Sequence, residues 1–125
     1  MLDILDLSLA IAPKPRILSE VSLSVAAGEA VGLVGESGSG KSMTLRSILK
    51  IEPDGSQVTG AITLDDVDVR GLSGEALRRM RANDVSMIAQ NPHSVLNPVL
   101  PVERYLIEGM HDAQGQPTRT AKLRA

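Results

Sequence analysis

The chain has 125 residues, enough for one compact domain with a hydrophobic core and short for two. Hydrophobic residues make up 42% and charged residues 22%, as in ordinary globular proteins, and a net charge of −2 gives no electrostatic footprint for nucleic acid. The absence of cysteine excludes disulfides, cysteine-ligated zinc and thiol nucleophiles and fits a reducing compartment, while one Tyr without Phe or Trp leaves Leu, Ile, Val, Met and Ala to fill the core.

The first residues carry neither a basic region nor a long apolar run, so they do not read as a signal peptide. No stretch reaches the roughly 18 apolar residues of a membrane helix. Leu5, Leu7, Leu9 and Ile11 alternate with Asp6, Ser8 and Ala10, which predicts a half-buried strand that Pro13 and Pro15 interrupt. Val21, Leu23 and Val25 alternate with serines as a second strand. Ala27, Gly28 and Glu29 turn the chain before an apolar run at 30–34 that reads as a buried strand. Residues 41–50 then form a helix with Leu45, Ile48 and Leu49 on one face, stopped by Pro53, Asp54 and Gly55.

Residues 57–69 read as a β-hairpin, with Ile62 and Leu64 on one face and Asp65 and Asp66 at the turn. Ser73 is placed to cap a short helix through about residue 82, whose solvated face carries Arg78, Arg79 and Arg81. A short apolar strand follows at 85–89, then a Pro-rich loop at 91–101 and a helix with Val102, Leu106 and Ile107 on one face. Gly115 to Pro117 break the chain again. Thr118 would cap a last helix with too few residues after it to be stable alone.

The residues with a chemical message lie between the run at 30–34 and the helix at 41–50. Gly35, Glu36, Ser37, Gly38, Ser39, Gly40, Lys41 and Ser42 satisfy GxxxxGK[ST] without a gap, after a predicted strand and at the opening of a predicted helix. The glycines permit positive φ and leave no Cβ in the way, so consecutive backbone N–H groups converge on phosphate oxygens. The helix start adds unpaired donors and the positive end of its dipole. Lys41 is assigned to the β- and γ-phosphate oxygens and the Ser42 hydroxyl to Mg²⁺. An ordinary turn between strand and helix has no use for Lys-Ser at that point. The predicted ligand is a nucleoside triphosphate with magnesium, but such a loop serves kinases, GTPases, motors and transport ATPases alike.

Beyond the loop, the strand 21–25, the Glu36-Ser37-Gly38-Ser39 filling, the hairpin around Gly60 to Asp66, the run Met87-Ile88-Ala89-Gln90-Asn91-Pro92 and the following Leu96-Asn97-Pro98 are found together. In that combination, which covers nearly the whole chain, the sequence resembles the nucleotide-binding subunit of ABC transporters, in particular the importers of oligopeptides, dipeptides and nickel. The resemblance implies an α/β fold, a P-loop NTPase core with an N-terminal antiparallel β subdomain, present here as an incomplete nucleotide-binding domain. On that pattern 1–34 supply strands leading to the P-loop, 35–50 the P-loop and its helix, 57–69 the hairpin, 85–98 the Q-loop region, and 102–125 the start of a truncated helical subdomain.

The resemblance further implies ATP and Mg²⁺ as ligands, held by residues 35–42 and Met43, with Gln90 reaching Mg²⁺ and the attacking water as the Q-loop glutamine. An amide suits that role, since it accepts from water without adding charge to an anionic site. Asn91 before Pro92 tilts the resemblance toward nickel importers. The implied partners are transmembrane permease subunits and a second ATP-binding subunit, as homodimer or heterodimer, at the cytoplasmic face of the plasma or inner membrane.

The sequence also departs from the family. No aromatic residue lies between Ile11 and Leu18, where members place one against adenine. After Gln90 there is no LSGGQ signature, no Walker B strand ending in Asp-Glu and no switch His. Ile62 to Asp66 imitate a Walker B strand but precede Gln90, and Leu72-Ser73-Gly74-Glu75 imitate a signature without its second Gly and Gln. His93 and His111 match no switch position. The expectation is a chain that binds nucleotide and hydrolyses it negligibly by itself. Two alternatives stay open: a non-enzymatic nucleotide-binding or interaction fragment, and a small P-loop kinase.

Overall fold

A computed structural model describes residues 1–13, 16–91 and 96–108, with side chains through Tyr105. The expected break at 115–117, the helix after Thr118, both histidines and the side chains of Leu106 and Ile107 lie outside the described residues. The chain divides into two units, Met1–Arg81 and Ala82–Ala125.

The first unit is built on a four-stranded antiparallel sheet. Its strands are β1 (Leu2–Ile11), β2 (Leu18–Val25), β3 (Ser56–Leu64) and β4 (Val67–Asp68), in the order β2-β1-β3-β4. The β3–β4 connection is the predicted turn, with Asp65 at φ 44 and Asp66 at φ 64, the paired positive values of a tight hairpin. The Asp65 carboxylate pairs with the Met1 ammonium.

Strand β1 corrects the simple alternation. Its register shifts against β2 between Ile4 and Leu7 and again between Leu7 and Leu9, and against β3 between Leu5 and Ser8, with Asp6 at φ 50 as the extra residue of a bulge. One added residue reverses the parity of everything before it. Ile4, not Leu5, therefore shares the buried face with Leu7 and Leu9, and Leu5 is 61% exposed. The bulge amide of Asp6 donates to Ser22 Oγ at 2.9 Å, and that of Glu20, at φ 50 in β2, donates to Ser8 Oγ at 2.9 Å. Across from the bulge stands Gly60, where a Cβ would lie 2.5 Å from Asp6 O, so the close approach of β3 requires glycine.

Helix α1 (Lys41–Ile48) buries Thr44, Ser47 and Ile48, followed by Leu49, while Leu45 is 51% exposed. This replaces the expected face of Leu45, Ile48 and Leu49. The buried hydroxyls cost little because Thr44 and Ser47 donate to the carbonyls of Gly40 and Met43 one turn back, at 3.3 and 2.9 Å. The helix stops before Lys50, not at Pro53. Lys50 takes φ 51, its N–H donates to Ser47 O and the Ile51 N–H to Arg46 O, which is a Schellman closure with lysine at the position glycine usually holds.

Helix α2 (Gly74–Arg79) follows Ser73, which occupies the cap position without a side-chain cap bond. Glu75 pairs with Arg78 and Arg79, and the Arg78 hydrogen bond holds the exposed Glu75 carboxyl below the usual carboxylate range. Arg81, expected on a solvated face, instead donates through Nε to Leu49 O at 2.8 Å and through a terminal nitrogen to Lys50 O at 2.7 Å. The buried hydrophobic side chains are Ile4, Leu7, Leu9, Leu18 and Ile62 of the sheet, with Ile48, Leu49, Val69 and Met80.

Two apolar runs expected as strands do not pair. Residues 30–34 form no ladder, and Val31, Leu33 and Val34 are 48%, 41% and 96% exposed. A buried parallel strand needs neighbours on both edges and cover on both faces, and none of the described strands supplies them to this run.

In the second unit, residues 85–89 are likewise unpaired, with Met87 43% and Ile88 94% exposed. A turn at 97–100 leads into α3 (Val102–Glu108), on which Val102 is exposed. The single aromatic side chain, Tyr105, accepts the Asn97 N–H on its hydroxyl.

Candidate functional site

The loop before α1 owes its shape to two left-handed glycines. Gly38 at φ 84 has open space where a Cβ would stand, so only its backbone angle calls for glycine. Gly40 at φ 94 is constrained twice, because a Cβ there would lie 2.5 Å from Leu18 Cδ2 and 3.1 Å from Ile17 O. The start of β2 thus backs the loop, a support that the sequence pattern alone does not reveal. Between the glycines, the Ser39 N–H donates to Glu36 O at 3.2 Å and closes the turn.

The inside of the loop is narrow. A Cβ on Gly35 would stand 2.9 Å from Ser39 Oγ and 4.0 Å from Lys41 Nζ, filling the concavity that the backbone encloses. Lys41 folds over this space and donates to Gly35 O at 2.7 Å, Glu36 O at 2.6 Å and Ser39 Oγ at 3.2 Å. These three acceptors hold the ammonium at the mouth of the loop.

Helix α1 starts here without help from a side chain. Gly40 as N-cap offers no side-chain acceptor, and the first turn carries no acidic residue. The N–H groups of Lys41 and Ser42 therefore have no carbonyl within the helix and no capping carboxylate, and they present the positive end of the helix dipole. Met43 and Thr44 donate to Gly40 O at 2.8 and 2.9 Å, so the ladder begins with them. Uncapped amides, an ammonium and a Cβ-free concavity together fit a polyphosphate tail.

The structure brings residues 35–43 into one loop and helix start, with Ser37 exposed at the tip and the Ser42 hydroxyl exposed one residue past the ammonium. Gln90 belongs to the second unit, where it is exposed at a bend after residues 85–89. Among the described residues, no group of three or more His, Asp or Glu side chains is arranged to hold a metal unaided. A magnesium ion carried on phosphate oxygens, completed by one hydroxyl, asks for no such group. No aromatic side chain lies among the described residues of the β1–β2 connection.

A strand-side backing, a left-handed glycine loop and a lysine at the opening of a helix define a P-loop NTPase domain. The model of the ABC transporter family matches residues 18–122, and the chain belongs to that family. It carries the family's antiparallel β sheet at its N-terminus. It is similar to the peptidoglycan transport ATP-binding protein YejF of Agrobacterium fabrum, 46% identical over 73% of this chain and 17% of that protein. The oligopeptide transport ATP-binding protein OppD of Lactococcus lactis subsp. cremoris is 36% identical over 78% of this chain and 30% of its own length. The chain thus spans less than a third of either relative.

Proposed function

We propose that this chain is the N-terminal, phosphate-gripping part of the ATP-binding subunit of an ABC importer, a subunit that couples ATP binding and hydrolysis to transport of peptide-class cargo. The observation that carries the reading is Lys41 poised over a loop whose following helix starts with uncapped amides. The name of the oligopeptide transport relative favours peptides over the nickel suggested by Asn91.

In this reading the backbone N–H groups of residues 38–42 bind the phosphates, and Lys41 turns one of its three N–H donors outward to them while the others stay on the loop. The Ser42 hydroxyl completes the coordination of Mg²⁺, which when bound neutralises phosphate charge and polarises the γ-phosphoryl group. Gln90 orients water at that site. Its amide accepts from water without adding charge to the anionic site.

Function in transport requires permease subunits and a second ATP-binding subunit, with the chain held at the cytoplasmic membrane face through them. Among the described residues no helix is long and apolar enough to cross a membrane.

Equilibrium dialysis of the chain against ATP tests the proposal. Uptake is expected to depend on Mg²⁺, and Lys41→Ala to weaken it by roughly 10- to 100-fold, the loss of one hydrogen bond to a charged group. Equal uptake by wild type and Lys41→Ala contradicts it.

A further inference from the structure

The irregular backbone of the sheet converges on one place. Against β2, strand β1 carries an extra residue between Ile4 and Leu7, and β2 in turn carries one between Leu18 and Val21. The two bulges answer each other, with the Asp6 N–H donating to Ser22 Oγ and the Glu20 N–H to Ser8 Oγ, each at 2.9 Å. Asp6 and Glu20 both stand at φ 50, a backbone conformation that side-chain-bearing residues rarely hold, and Gly60 of β3 stands at φ 95. These three residues, with Ser8, Arg16 and Thr59, line one groove of about 420 Å³ that is open to solvent. Bulges re-aim side chains, and left-handed residues gather where a site is built.

The groove carries both signs of charge without pairing them. Among the described residues neither the Arg16 guanidinium nor the Glu20 carboxylate makes an ion pair. The Asp6 carboxylate is steadied by the Ser22 hydroxyl at 3.2 Å. Ser8, only 7% exposed, accepts the Glu20 N–H on Oγ, and its hydroxyl proton has no acceptor among the described residues. The lining thus offers a guanidinium and a hydroxyl proton to an anionic group, and two carboxylates to a cationic one.

We propose that this groove binds a small zwitterion, an amino acid or short peptide, with its carboxylate on Arg16 and Ser8 and its ammonium on Asp6 and Glu20. A simple anion meets two carboxylates there and a simple cation meets the guanidinium, whereas a zwitterion satisfies both at once. The volume lies within the range of small-molecule sites. With no large apolar side chain in the lining, the groove reads the ligand's charged ends and not its side chains. The groove contains none of residues 35–43, so the inference stands independently of the nucleotide-binding reading.

Amide NMR of the ¹⁵N-labelled chain, titrated with glycine, diglycine and triglycine, tests the proposal and separates free amino acid from peptide by the span between the two charges. At least one of the three is expected to give saturable shifts at Asp6, Ser8, Glu20, Thr59 and Gly60. N-acetylglycine and glycinamide, which each keep a single charge, are expected to give none. Arg16→Ala and Glu20→Gln, both at exposed positions, are each expected to weaken binding by about 5-fold, the worth of one exposed charge contact, with an unchanged Tm. Arg16→Lys keeps the charge and is expected to recover most of the loss. Absence of saturable shifts at those amides with all three zwitterions overturns the proposal, as do equal shifts with the singly charged analogues. Undiminished binding by either Arg16→Ala or Glu20→Gln overturns it as well.

Discussion

Gly38 and Gly40 stand two residues apart with nearly the same backbone angle, yet they answer to different constraints. At Gly38 only the left-handed φ opposes a side chain, and a Cβ meets open space. At Gly40 the same angle is joined by contact with Leu18 Cδ2 and Ile17 O, on a leucine that is itself 2% exposed. Gly38→Ala is therefore expected to cost about 1 kcal/mol, the left-handed penalty alone. Gly40→Ala adds overpacking against a buried neighbour and is expected to cost about 3 kcal/mol. Chemical denaturation of the two variants measures the difference, and equal losses would show that Leu18 yields freely. Lys41 belongs to a third kind of residue, half-buried, whose contribution is its charge at the loop mouth.

Among the elements, β1 carries the sharpest test, because its bulge decides which side chains are core. Ile4 is 3% exposed and Leu5 61% exposed, the reverse of what unbroken alternation from Leu5 to Ile11 gives. Ile4→Ala is expected to destabilise by about 2–4 kcal/mol as a cavity-forming change. Leu5→Ala is expected to stay within about 0.5 kcal/mol, as for an exposed position. Thermal or urea melts with the opposite ranking would place the bulge elsewhere. Gly60 had a signal in the sequence, as a glycine in a strand interior, and its partner across the sheet supplies the reason: Asp6 O and Leu5 O would both lie within 2.7 Å of a Cβ. The serines that satisfy the bulge amides, Ser8 and Ser22, looked like polar alternation and are in fact structural acceptors.

Across the molecule, what the sequence made legible was local. The hairpin turn at Asp65 and Asp66, the strands on either side of it and the helix opening at Lys41 all depend on neighbours close in the chain, and all stand where the pattern put them. The P-loop residues were legible for the same reason, since spacing alone assembles a loop and a helix start. What escaped was set by distant contacts. Examples are the bulge at Asp6, the packing of Gly40 on Leu18 and the engagement of Arg81 with the end of α1. Residues 30–34 were legible as apolar but not as unpaired, because strand formation is a property of neighbours and not of one segment. Val34 at 96% and, in the second unit, Ile88 at 94% exposure present the kind of apolar surface that proteins cover with further structure or with partners.

The central claim is that the amides at the opening of α1 grip a phosphate tail. Backbone amide NMR of the ¹⁵N-labelled chain, titrated with Mg-ATP and then with adenosine, addresses it most directly. The expected result is large saturable shifts of the Gly38, Gly40, Lys41 and Ser42 amides with Mg-ATP and none with adenosine. Unmoved resonances for those four amides at saturating Mg-ATP, or equal shifts with adenosine, would contradict the account.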